Sequence, residues 1–149
     1  MGQKVFPAIT SELDNVLAML ESECEQMDVS MAVQMQLSVA LEELFVNVAN
    51  YAYGEKINES DSIIPASQTD ESKKCTVSIG KEGDYLVITL DDEGKPFDPF
   101  EKEDPDITQS AEDRAVGGLG IFIVKKTMDE YEYRRENGHN MVIIRKKIS

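Results

Sequence analysis

The stretch LEELFVNVANYAYG, residues 41–54, decides how the chain is read. Its apolar residues extend a helical stripe made by Val33, Leu37, Ala40, Leu41, Leu44 and Val48, yet Glu43, Asn47 and Tyr51 recur within it at i, i+4 and i+8. On a helix these three stack along one face, one turn above another. A base, a metal ligand and an aromatic hydroxyl in a row can form a site; taken alone, the row also fits the solvated edge of a long helix. Ser30 is placed to cap this helix, and Gly54 to stop it near Tyr53.

The rest of the chain falls into elements on either side. Lys4 to Ile9 reads as a short strand, and Thr10 or Ser11 offers an N-cap with Glu12 and Asp14 in the first turn. Leu13, Val16, Leu17, Leu20 and Cys24 then give a one-sided helix to about Met27. Residues 55–74 are polar, contain a proline and have no period, which predicts a long mobile loop. CTVSIG (75–80) and YLVITL (85–90) alternate as strands around the turn KEGD. Residues 101–116 are charged and aperiodic, and GGLGIFIVKKTMD (117–129) begins with glycines and becomes a helix. EYEYRR (130–135) and MVIIRKK (141–147) flank ENGHN, whose Asn137-Gly138 pair marks a hairpin. This order predicts one α+β domain over 1–149, a two-layer sandwich with helices on one face of a mixed, mostly antiparallel sheet.

Size and charge narrow the function. A chain of 149 residues buries one core, with no apolar run near the ~20 residues of a membrane helix. MGQKVFPAITSELD lacks the build of a signal peptide, so a cytoplasmic protein is expected, and Phe6 breaks the myristoylation pattern after Gly2. Cys24 and Cys75 have no CxxC spacing and sit at apolar positions, as buried thiols do. The formal charge of −14 argues against nucleic acid or an anionic membrane as partner. An anionic ligand would need local donors and a cation.

Two further motifs carry chemistry. In DDEGKPFDP (91–99) an acidic pair follows directly on a strand. A carboxylate there can accept a hydrogen bond from an exocyclic amine such as adenine's, and Gly94 lets backbone approach a flat ring, although the composition also suits a plain surface turn. In GGLGIFIVKK (117–126) glycines precede a helix whose start offers free N–H groups to an anion. It is neither a Walker loop nor GxGxxG, and a hinge is its simpler role. His139, in the hairpin turn, reads as an exposed turn residue.

The set ExxxNxxxYAYG, DEGKPFDP and GGLGIFIVKKTMDEYEYRR, in this order, resembles the ATPase domain shared by gyrase B-type topoisomerases, heat-shock chaperones, mismatch-repair ATPases and sensor histidine kinases (the Bergerat ATP-binding fold). Within that superfamily the chain is most similar to the stand-alone anti-sigma regulatory factors, which are serine/threonine kinases. The resemblance spans nearly all of it except 55–74. It implies ATP and Mg²⁺ as cofactors, Glu43 as general base and Asn47 as the carbonyl ligand of Mg²⁺, a sparse protein ligand set that suits this metal. By the same resemblance Tyr51 stands at the site's edge where many relatives carry His. Asp92 reads the adenine amine with Gly94 beside it, and Pro96 replaces a second glycine and stiffens the loop. Gly117, Gly118, Leu119 and Gly120 form the phosphate-side loop. Residues 101–117 become an ATP lid, in which Arg114, or Lys102, is the candidate cation for the γ-phosphate or a partner.

The implied activity is that of an anti-sigma factor that binds a sigma factor and phosphorylates an anti-anti-sigma (STAS-type) partner on Ser or Thr; the substrate then supplies the hydroxyl, which explains why the sequence shows no nucleophilic triad. A homodimer is expected, through the first helix or a sheet edge. The alternative is a nucleotide-binding partner-switching module without efficient transfer. A histidine kinase catalytic fragment ranks last, because the one histidine lies in a turn.

Overall fold

Residues 2–53, 55–56, 63–64, 73–101 and 118–148 are described in the computed structural model of the chain. In chain order the elements are β1 (Gly2–Pro7), α1 (Leu13–Gln26), α2 (Met31–Asn47), β2 (Glu55–Lys56), β3 (Ile63–Ile64), β4 (Lys74–Glu82), β5 (Tyr85–Asp92), α3 (Gly118–Thr127), β6 (Glu130–Glu136) and β7 (His139–Lys147). The main sheet has the order β1-β4-β5-β7-β6, and all of its pairings are antiparallel. Strands β2 and β3 form a separate two-residue ladder within the predicted 55–74 loop. The rest of 57–72 lies outside the described residues, as do 102–117, nearly all of the expected lid.

Period-two alternation decides which side of the sheet is covered. On β5, Leu86, Ile88, Leu90 and Asp92 are buried while their neighbours are partly exposed, and Val77 and Ile79 of β4 and Val142 and Ile144 of β7 are buried with them. Val16, Leu20 and Cys24 of α1, Leu37, Leu41, Leu44 and Phe45 of α2, and Ile121 and Val124 of α3 close over that face in one core. At one end of it the alternation continues into polar residues: Asp92 and Asn140 are register partners and both buried. The apolar layer therefore ends in a built polar position. Cys24 and Cys75 are free and buried, and burial pushes both thiols up, as inert core cysteines require.

The element boundaries show where local chemistry differs from the periodic reading. The first strand runs to Pro7, the Ala8 N–H still donates to the Lys73 carbonyl at 2.8 Å in the same register, and a 3-10 turn over Thr10–Glu12 leads into α1 without a side-chain cap. Ser30 caps α2 as expected, its Oγ accepting from the Val33 N–H at 3.3 Å. The α-helical pattern ends at Asn47 and continues as a π-helical turn over Val48–Ala52, closed by the Tyr53 N–H on the Val48 carbonyl at 3.1 Å. A π turn advances fewer degrees per residue, so Tyr51 is swung away from the Glu43–Asn47 line. Asn137 and Gly138 both have positive φ, 51° and 81°, the conformation of a two-residue hairpin turn. Among the described residues no helix is long and apolar enough to cross a membrane.

Ile88, fully buried at the centre of the sheet, tests the core. Ile88→Ala is expected to lower the unfolding free energy by about 3 kcal/mol in urea titrations. A loss below about 1 kcal/mol would show that the two layers do not meet there.

Candidate functional site

Asp92 is 2% exposed, and a buried carboxylate needs donors. It has two on one oxygen: Oδ1 accepts from the Gly94 N–H at 2.8 Å and from Asn140 Nδ2 at 2.9 Å. Oδ2 takes no hydrogen bond from a described residue, which leaves it as the acceptor for something else. Burial pushes the Asp92 carboxyl up, and the Asn140 and Gly94 donors work against that rise.

Asn140, 1% exposed, joins the strand end to the loop after it. Its Nδ2 also donates to the Lys95 carbonyl at 2.7 Å. Its Oδ1 accepts from the Tyr133 hydroxyl at 2.5 Å, Arg135 Nη1 at 3.1 Å and the Phe97 N–H at 3.2 Å. Arg135 Nη1 reaches the Gly94 carbonyl as well, at 2.8 Å. One carboxamide thus holds Asp92 and the loop 94–97 in a single network.

That loop is docked on the end of α2. The Lys95 N–H donates to the Ala52 carbonyl at 2.8 Å, and a Cβ on Gly94 would lie 2.5 Å from the same oxygen, so only glycine fits this approach. Tyr51 stacks on Phe97 with centroids 5.3 Å apart and planes at 15°, which gives the aromatic member of the helix row a packing role. Tyr53 donates its hydroxyl proton to the Lys74 carbonyl at 2.6 Å and accepts from the Glu93 N–H at 2.9 Å. The π-helical turn and the loop are one assembly.

Two turns earlier on α2, the half-buried Glu43 carboxylate lies against Gly120 in the first turn of α3. A Cβ at position 120 would collide with the carboxyl carbon and both oxygens. Burial, and then the neighbouring Glu42, push the Glu43 carboxyl up. Asn47, one turn on, is 7% exposed, and its carboxamide makes no hydrogen bond to a described residue.

The predicted residues thus fall into two groups at successive levels of α2. Glu43 and Gly120 meet where α2 packs on α3, with Asn47 one turn further along α2, Gly118 opening α3 and Leu119 44% exposed. Tyr51, Asp92 and Gly94 meet around the loop after β5. Arg114, Gly117 and Lys102 lie outside the described residues. Sequence reasoning missed Asn140, Arg135 and Tyr53. Asn140 had a readable signal: it is in phase with Val142 and Ile144, so it is a polar residue on the covered face.

Asn140→Ala is expected to cost about 2 kcal/mol in chemical denaturation and to speed hydrogen exchange at the Gly94 and Phe97 amides, because it strips partners from buried groups. Unchanged exchange at both amides would remove Asn140 as the anchor.

A family model for the histidine kinase-like ATPase domain matches residues 6–146. No curated protein sequence matches the chain. Among solved structures, it is similar to the RsbU and RsbW domains of a Mycobacterium tuberculosis protein, with a TM-score of 0.60 and 10% identity over 99% of this chain and 33% of that one. The chain therefore spans about a third of that protein's length, and the likeness is one of fold alone. The histidine kinase AdeS of Acinetobacter baumannii aligns with a TM-score of 0.45 and 15% identity, over 100% of this chain and 68% of that one. With nearly its whole length matched, the chain belongs to the histidine kinase-like ATPase domain family.

Proposed function

We propose that this domain is an ATP-dependent serine/threonine protein kinase of the anti-sigma type, with Glu43 as general base and Asp92 as the adenine-reading carboxylate. The observation that carries the reading is the seating of the Glu43 carboxylate against Gly120 at the start of α3. It sets a base with a raised pKa against the first turn of α3, and a glycine-led helix start is suited to phosphate. The unengaged Oδ2 of Asp92 supports its reading as the adenine-side acceptor.

When bound, ATP supplies the phosphoryl group and Mg²⁺ neutralises part of its charge. The residues present fit that metal. Among the described residues no three His, Cys, Asp or Glu side chains converge as a metal cage, while Asn47 offers a buried carboxamide without another partner. One such ligand suits an ion that fills its remaining positions with water and phosphate oxygens. Glu43 accepts the proton of the attacking hydroxyl, Asn47 holds the metal, and the network around Asn140 keeps Asp92 in place. By the sequence resemblance, Gly117 and Gly118 are assigned to the phosphate side and Arg114 is assigned as the lid cation.

The partners follow from the sequence resemblance: a sigma factor, and a STAS-type anti-anti-sigma protein that supplies the Ser or Thr hydroxyl. Homodimerisation and a cytoplasmic location belong to the same reading.

Glu43→Ala is expected to retain nucleotide and to lower phosphotransfer to a cognate partner at least about 100-fold. Transfer at the wild-type rate would eliminate Glu43 as base, whereas a wild type that binds nucleotide and partner without transfer would establish the switch module instead. The pH–rate profile gives a second check. A base must be ionised, so the rate should fall as the pH drops through the elevated pKa of Glu43, and this limb should vanish in Glu43→Ala. Asp92→Asn is expected to weaken ATP binding about tenfold or more in equilibrium titrations, since it removes a charged acceptor. Unchanged affinity would move the adenine site elsewhere.

A further inference from the structure

His139 opens β7 beside Asn140, and its ring lies between two carboxylates that flank Asp92 in the chain. Nδ1 is 2.6 Å from Asp91 Oδ1, and Nε2 is 3.2 Å from Glu93 Oε1. A neutral imidazole has one N–H, so it would donate to one carboxylate and turn a lone pair toward the other; only the imidazolium donates to both. The two-sided contact is therefore the geometry of a charged ring.

Strand alternation sets this clamp behind the site. Asp92 and Asn140, register partners, point to the covered face, whereas Asp91 and His139 are half-exposed on the opposite one. The Asn140 network grips Asp92 and residues 94–97 from inside. His139 grips 91 and 93 from outside.

We propose that His139 is a positioning residue for the nucleotide loop, whose protonated ring clamps Asp91 and Glu93 on either side of Asp92 and so couples nucleotide affinity to pH. The proposal rests on the reading of Asp92 as the nucleotide-binding carboxylate. The groups that face the ring are Asp91 from β5, Glu93 from the loop, and Arg135 and Glu136 from β6, with Glu136 directly across the hairpin. The hydrogen bond that the ring donates to Asp91 raises the His139 pKa above its ordinary value of 6.5, opposed by desolvation and Arg135 and aided by the charges of Asp91 and Glu93. The sign follows. A raised histidine pKa means the clamp is fully made below the ordinary value and is lost as pH rises through the elevated one. Affinity should be higher on the acid side.

The ring is 36% exposed, so solvent screens the pair and the effect is modest, about two- to fivefold in affinity. ADP binding is measured by calorimetry between about pH 5 and 8 for the wild type and His139→Gln. The terminal phosphate of ADP titrates equally in both, so the difference between the profiles isolates the ring. The chain has a single histidine, which makes its NMR titration unambiguous in the wild type with and without ADP. The expected result is an additional two- to fivefold fall in wild-type affinity with rising pH, absent in His139→Gln, with ADP moving the histidine midpoint upward by linkage. Superimposable profiles, or a midpoint that ADP leaves in place, would overturn the clamp while leaving the nucleotide site intact. Absence of ADP binding at every pH would bring down the site reading and the clamp together.

Discussion

A carboxylate buried at the end of an apolar sheet face is tolerable only if it is hydrogen-bonded, and the rest of the candidate site depends on how that requirement is met at Asp92. The answer is one side chain, Asn140, which spends its amide on Asp92 and Lys95 and its carbonyl on Tyr133, Arg135 and Phe97. Because both protein donors converge on Oδ1, the other oxygen remains available. The loop is then fixed in turn to α2 through the carbonyl of Ala52 and the Tyr51–Phe97 stack. Burial of a single polar residue thus propagates into the placement of the loop and of the helix end.

Helix α2 measures out the site. Its α-helical part brings Glu43 to α3, and its π-helical turn brings Ala52 and the aromatic rings to the loop after β5. Gly120 and Gly94 occupy the two places where another chain segment comes too close for a Cβ. In a chain with a formal charge of −14, this division matters. The proposed anion end joins a helix start and one carboxamide to the single carboxylate of Glu43, while Asp92, proposed to read a neutral amine, sits at the other end.

Much of this was legible in the sequence. The strands show in the alternation of YLVITL and CTVSIG, the hairpin in Asn137-Gly138, the helix start in Ser30, and the candidate residues in the Glu43–Asn47 spacing. What was not legible depends on contacts between distant segments. Nothing local tells that Gly120 faces Glu43, or that Gly94 is held by Ala52. The π turn cannot be seen in an apolar stripe, because it changes the phase of one turn without changing its composition. Asn140 was readable in phase with Val142 and Ile144, but its place beside a turn signal hid it, and His139, read as an ordinary turn residue, touches two carboxylates.

The central claim is that the row on α2 is a nucleotide and metal site. Calorimetry with ATP and ADP, with and without Mg²⁺, for the wild type and Asn47→Ala tests it most directly. The account predicts that the wild type binds ATP, that Mg²⁺ strengthens the binding, and that the strengthening is lost in Asn47→Ala. Absence of nucleotide binding, or an equal effect of Mg²⁺ on both proteins, would contradict it.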